Sequence, residues 1–115
     1  MESQNNLFPV FLKLSSMRVL IVGGGNVAAE KLHFLMKSSP NANVTVVTKV
    51  ASEKVLNIIK SKNNIRLIID DYKKPHLIGI DIVIAATEVE STNLLIWNDS
   101  KSEKIIVNVA DTPEL

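Results

Sequence analysis

Three consecutive glycines, Gly23, Gly24 and Gly25, follow the apolar run Leu20-Ile21-Val22 and precede Asn26-Val27-Ala28. Gly23, Gly25 and Ala28 fit the spacing G-x-G-x-x-G/A, which carries chemistry only where a strand hands over to a helix. In that setting the first glycine permits a tight turn and the second admits a diphosphate to the main chain. The small third residue then lets helix and strand pack closely. The helix start adds unpaired N–H groups and a partial positive charge, both of which attract an anion. A plain βα corner also uses glycine, so reading this one as a dinucleotide site depends on the elements around it.

Two further stretches hold groups of chemical interest. In IVIAATEVESTN, residues 82–93, Ala85 and Ala86 leave room for a flat ring against the backbone, while Thr87 and Asn93 offer hydrogen bonds. In VNVADTPEL, residues 107–115, Asp111 is open to two readings. A carboxyl group in a low-dielectric crevice has its pKa raised towards the range of a useful general acid or base. Asp is equally the residue a turn favours ahead of Thr112-Pro113.

One usual part is missing. An acid about twenty residues beyond the glycines commonly grips the adenosine ribose, yet nothing acidic lies between Lys37 and Glu53, and Thr48 and Lys49 stand there instead. Lys49 has the charge to meet a phosphorylated ribose, hence NADP, but a solvated loop lysine is the plainer reading. His33 and His76 have no partner at metal-ligand spacing and cysteine is absent, so no metal site is expected.

These groups need elements to position them. Apolar, β-branched runs at Met17–Val22, Asn43–Thr48, Ile65–Ile69, Asp81–Ala85 and Ile105–Val109 have the length and continuity of parallel strands buried on both faces. Ala28, Leu32, Leu35 and Met36 line one face of a helix, stopped by Ser38-Ser39-Pro40-Asn41. Ala51, Val55, Ile58 and Ile59 repeat that spacing, and a third helix is expected around Leu94, Leu95 and Trp97. Between Asp70 and Gly79, Pro75 favours a loop or a single helical turn. The alternation predicts an α/β fold, a Rossmann-like doubly wound parallel sheet of about five strands in the order 3-2-1-4-5 with helices on both faces. The ligand crevice of such a sheet opens at the carboxyl ends of the strands where their order reverses, which would gather Gly24, Thr87 and Asp111. The stretch LFPVFLKL, residues 7–14, is apolar enough to pack on the domain, where an edge strand would tolerate Pro9.

Composition limits the alternatives. At 115 residues, one domain spanning 1–115 is expected, and 46% hydrophobic with 22% charged residues is ordinary for a globular chain. Thirteen basic residues are scattered against twelve acidic ones, so no nucleic-acid or membrane-surface footprint is present. No signal peptide or spanning segment is visible, and a cytoplasmic location is expected.

Taken in order, GGGNVAAEK, IAATEVESTN and NVADTPEL, with FPVFLKL and VTVVT, resemble the amino-terminal domain of sirohaem synthases and the single-function precorrin-2 dehydrogenases. The resemblance covers nearly the whole chain, and that family does not rely on the missing ribose-binding acid. It implies NAD as cofactor and the oxidation of precorrin-2 to sirohydrochlorin, with ferrous-iron insertion added in some members. Asp111 matches the family's proposed catalytic aspartate, and Asn26 and Val27 match positions that meet the dinucleotide at the glycine loop. Lys49 and Val50 match the stretch passing the adenosine end, and Thr87 a position near the nicotinamide. The resemblance also implies a homodimer and further dimerisation and helical regions, which are expected to lie outside residues 1–115. A non-catalytic dinucleotide-sensing domain is the alternative, disfavoured because such sensors usually keep the acid that Val47-Thr48-Lys49 replaces. A methyltransferase-like domain would want the same acid.

Overall fold

The computed structural model describes residues 16–110. Its strands are β1 (Arg18–Val22), β2 (Asn43–Thr48), β3 (Ile65–Ile69), β4 (Ile82–Ala85) and β5 (Ile106–Val109). All pair in parallel, in the order β3-β2-β1-β4-β5, as the alternation of strand and helix patterns predicts. In the central strand β1, Val19, Leu20, Ile21 and Val22 are all buried. The order reverses between β1 and β4, and there a crevice opens at the strand tips.

The edge strands depart from the expectation of burial on both faces. β5 alternates exposed and partly buried positions and β3 keeps only Ile65 fully buried, because each has a neighbouring strand on one side only. The apolar stretch at residues 7–14 lies outside the described residues.

Helices α1 (Asn26–Ser38) and α2 (Glu53–Lys60) pack on one face against Val19, Ile21, Val44 and Val46. The expected stripe Ala28, Leu32, Leu35 and Met36 is buried there. Ser52 caps α2 by accepting a hydrogen bond from the Val55 N–H at 3.3 Å. On the opposite face α3 (Glu90–Ser102) and the 3₁₀ turn Lys74–Leu77 cover Leu20, Val22, Val83 and Ala85. The 3₁₀ turn is the single helical turn that Pro75 suggested. The Tyr72 hydroxyl donates to Asp99 Oδ2 at 2.8 Å, joining this connection to α3. Burial, and then the Asp99 carboxylate, push the Tyr72 pKa upward, so the phenol stays neutral.

The expected third helix is present, and its buried face is narrow. Ile96 and Ser100 are buried, whereas Leu94, Leu95 and Trp97 are exposed. This helix packs chiefly on β4 and β5, so one narrow line of residues meets the sheet. Lys101 Nζ lies 5.2 Å from the centre of the Trp97 ring, shielding part of it. The helix closes with paired bonds from the Ile105 N–H to the Ser100 carbonyl (2.9 Å) and from the Lys104 N–H to the Lys101 carbonyl (3.2 Å). Lys104 takes the left-handed conformation, φ 58°, that this closure demands.

Candidate functional site

The glycine loop is built by the strand tips around it. At Gly23 the chain turns with φ 132°, and a Cβ there would collide with the Ala86 carbonyl. The Gly23 N–H donates to the Val47 carbonyl (2.9 Å) and the Ala86 N–H to the Val22 carbonyl (2.8 Å), tying the tips of β1, β2 and β4 together. A Cβ on Gly24 would collide with the Val50 carbonyl and lie 2.6 Å from Thr48 Oγ1. The Gly24 carbonyl accepts from the Ser52 N–H at 2.7 Å. The first two glycines therefore make room for the protein's own backbone.

Gly25 is different. A Cβ on it would meet only the Glu88 carboxylate, with Oε2 at 2.9 Å, the far end of a flexible side chain. Gly25 is also the N-cap of α1, with no side-chain cap and no acid in the first helical turn. Ala28 is buried at the helix–sheet contact. The main chain at Gly25 thus faces the crevice at the amino end of a helix with no cap and no acid of its own, the arrangement that suits a diphosphate. Asn26 and Val27 are the first two residues of that helix.

Across a crevice of about 320 Å³, the glycines face Thr48, Val50 and Ser52 on one side and Ala86, Thr87 and Glu88 on the other. Gly24 and Thr87 are therefore gathered as expected, while Asp111 lies outside the described residues. Its predecessor Ala110 donates its N–H to the Ala85 carbonyl at 2.9 Å, which brings the end of β5 beside the tip of β4. Ala86 is buried, with its carbonyl against Gly23, and Val50 is exposed.

Thr87 and Asn93 largely satisfy one another. The Thr87 N–H donates to Asn93 Oδ1 (3.2 Å) and the Asn93 amide donates to the Thr87 carbonyl (3.1 Å). The Thr87 hydroxyl lies 2.7 Å from the same Oδ1 and accepts from the Val89 N–H at 3.2 Å. This clamp fixes the backbone that follows β4 and leaves Thr87 little capacity for a ligand.

Lys49 lies in the exposed loop after β2, with Nζ 3.9 Å from Asp71 Oδ2. The acid missing from the end of β2 in the sequence has a counterpart on the loop beyond the neighbouring strand. Asp71 escapes a search along one strand, and the pairing of β2 with β3 is the signal that locates it. Glu88 was likewise not singled out, because only the fold brings it to Gly25.

A second concavity of about 430 Å³ runs along β1, β2 and β3 beneath the connection 75–80, with Arg18 and Arg66 on its rim. It lies on a sheet face, away from the glycines. His33 is exposed, and His76 accepts from the Lys73 N–H through Nδ1 (3.0 Å) with Nε2 3.4 Å from Asp70. Among the described residues no cluster of His, Cys, Asp or Glu is placed to hold a metal, and no helix is long and apolar enough to cross a membrane.

Residues 10–115 match the family described as "Putative NAD(P)-binding". The chain belongs to that family. Among curated relatives, the siroheme synthase of Psychrobacter cryohalolentis is 37% identical over 110 residues, covering 96% of this chain and 20% of that protein. The siroheme synthase of Pseudoalteromonas translucida is 35% identical over 103 residues, covering 90% of this chain and 21% of its own. The chain thus spans about a fifth of the length of the curated relatives it matches. Among solved structures, SirC, a precorrin-2 dehydrogenase, superposes with a TM-score of 0.73 at 24% identity, over 92% of this chain and 50% of that one. Saccharopine dehydrogenase from Saccharomyces cerevisiae superposes with a TM-score of 0.62 at 17% identity, over 84% of this chain and 22% of that one. At these identities the structural likeness establishes the fold.

Proposed function

We propose that this chain is the dinucleotide-binding part of an NAD-dependent precorrin-2 dehydrogenase, oxidising precorrin-2 to sirohydrochlorin on the way to sirohaem. The observation that carries the reading is the open backbone of Gly25 at the uncapped start of α1, between the tips of β2 and β4. Kinship to siroheme synthases over almost the whole chain narrows a general nucleotide site to this substrate.

When bound, NAD supplies a hydride acceptor. The chain's own residues do the rest. Gly25, Asn26 and Val27 seat the diphosphate on backbone N–H groups, while Gly23 and Gly24 hold the three strand tips close enough to form the seat. Lys49 and Val50 pass the adenosine end, with Asp71 offsetting the Lys49 charge; that pairing favours the unphosphorylated ribose of NAD. Ala86 and Thr87 form the wall on the nicotinamide side, stiffened by Asn93. Oxidation also releases a proton, and Asp111 is assigned as its acceptor on the likeness of NVADTPEL to the family pattern.

The test is an anaerobic assay with precorrin-2 and NAD, following NADH, on the longest natural form of the protein and on its Asp111→Ala variant. Turnover is expected to fall at least about a hundredfold, the usual worth of general acid–base help, with NAD binding retained. Equal turnover in the variant would remove Asp111 from the mechanism. Absence of both NAD binding and turnover in the parent protein would remove the function.

A further inference from the structure

The geometry points to Glu88 as a built-in placeholder, a carboxylate that rests in the diphosphate seat and must swing out before a dinucleotide enters. This rests on the dinucleotide reading above and adds a residue that sets the affinity of that site.

Four observations carry it. Of the three glycines that line the crevice, only Gly25 has no backbone against its Cβ position, and the group there is the Glu88 carboxylate, with Oε2 at 2.9 Å. The helix that Gly25 starts has no capping side chain and no acid in its first turn, so a negative group brought from elsewhere supplies the missing complement. Among the described residues the carboxylate has no hydrogen bond or ion pair, at Gly25 or elsewhere, so nothing but the field of the helix start opposes its departure. The backbone carrying it is fixed on one side by the mutual bonds of Thr87 and Asn93, whereas the side chain itself is exposed and free to rotate.

A diphosphate and a carboxylate cannot share the space over Gly25, because like charges at contact distance repel. Entry of the dinucleotide therefore requires Glu88 to turn towards solvent. The cost is small and screened by salt, since the carboxylate is exposed in either position.

The experiment is calorimetric titration of the full chain with NAD, on the parent, Glu88→Gln and Gly25→Ala, at low and at physiological salt. Glu88→Gln is expected to bind NAD about three- to fivefold more tightly at low salt, the size of one charge at a helix terminus, with the gap narrowing as salt rises. If the parent binds NAD and Glu88→Gln binds equally or more weakly, the placeholder is overturned while the dinucleotide site stands; weaker binding would mark Glu88 as a ribose ligand instead. If neither parent nor Glu88→Gln binds NAD, both the site and the placeholder fall.

Discussion

At Gly24 and Gly25 two adjacent glycines are required for unrelated reasons. Gly24 is enclosed by the Val50 carbonyl and the Thr48 side chain, so a methyl group there pushes against backbone that cannot yield. Gly25, with φ −97°, already has a backbone any residue adopts, and a methyl group would displace only the mobile end of Glu88. Gly24→Ala is therefore expected to cost about 2 kcal/mol of stability, as overpacking commonly does. Gly25→Ala is expected to leave stability within about 0.5 kcal/mol of the parent while weakening NAD binding at least tenfold. Urea unfolding and NAD titration on the two variants separate the effects, and equal stability losses would show that both glycines serve packing alone. The glycine pattern was legible in the sequence, but this division of labour was not. It depends on which carbonyl comes to face which glycine, and that is fixed only once β2 and β4 lie on either side of β1.

At the scale of elements, strand and helix placement followed the sequence closely because burial on both faces leaves a continuous aliphatic run in β1, and the partly buried β2 and β4 keep a β-branched one. The orientation of α3 leaves no such signal. Leu94, Leu95, Ile96 and Trp97 form one apolar run, of which the helix buries only Ile96, together with the small Ser100. The closing turn of α3 was equally invisible, since glycine is the residue that announces a left-handed position and lysine is not. Lys104 holds that conformation at φ 58° through the bonds of its own and the Ile105 N–H. Replacing it by glycine removes the clash of Cβ with the backbone at the cost of greater freedom in the unfolded chain. Lys104→Gly is expected to stabilise the domain by about 0.5–1 kcal/mol, read from the urea midpoint with an unchanged slope. A destabilised variant would mean that the lysine side chain contributes more than its backbone costs.

For the molecule as a whole, the candidate site and the fold are held by the same contacts. The tips of β1, β2 and β4 are joined through Gly23, Val47 and Ala86, and α1 and α2 both start from this junction. A ligand seated there braces elements on both sides of the sheet's reversal point, so its binding energy should appear as stability of the entire domain rather than of one loop. At free NAD about a hundredfold above its dissociation constant, linkage adds about 2.7 kcal/mol. For a domain of this size each kcal/mol moves the melting temperature by about 4 °C, so a rise of about 10 °C is expected by calorimetry or circular dichroism. Gly25→Ala should melt near the parent temperature without NAD and shift much less with it, because its seat is spoiled while its core is intact. A parent protein whose melting temperature ignores NAD across that range would contradict the coupling of site to fold. A Gly25→Ala variant that shifts as far as the parent would place the dinucleotide away from the one glycine that packing leaves open.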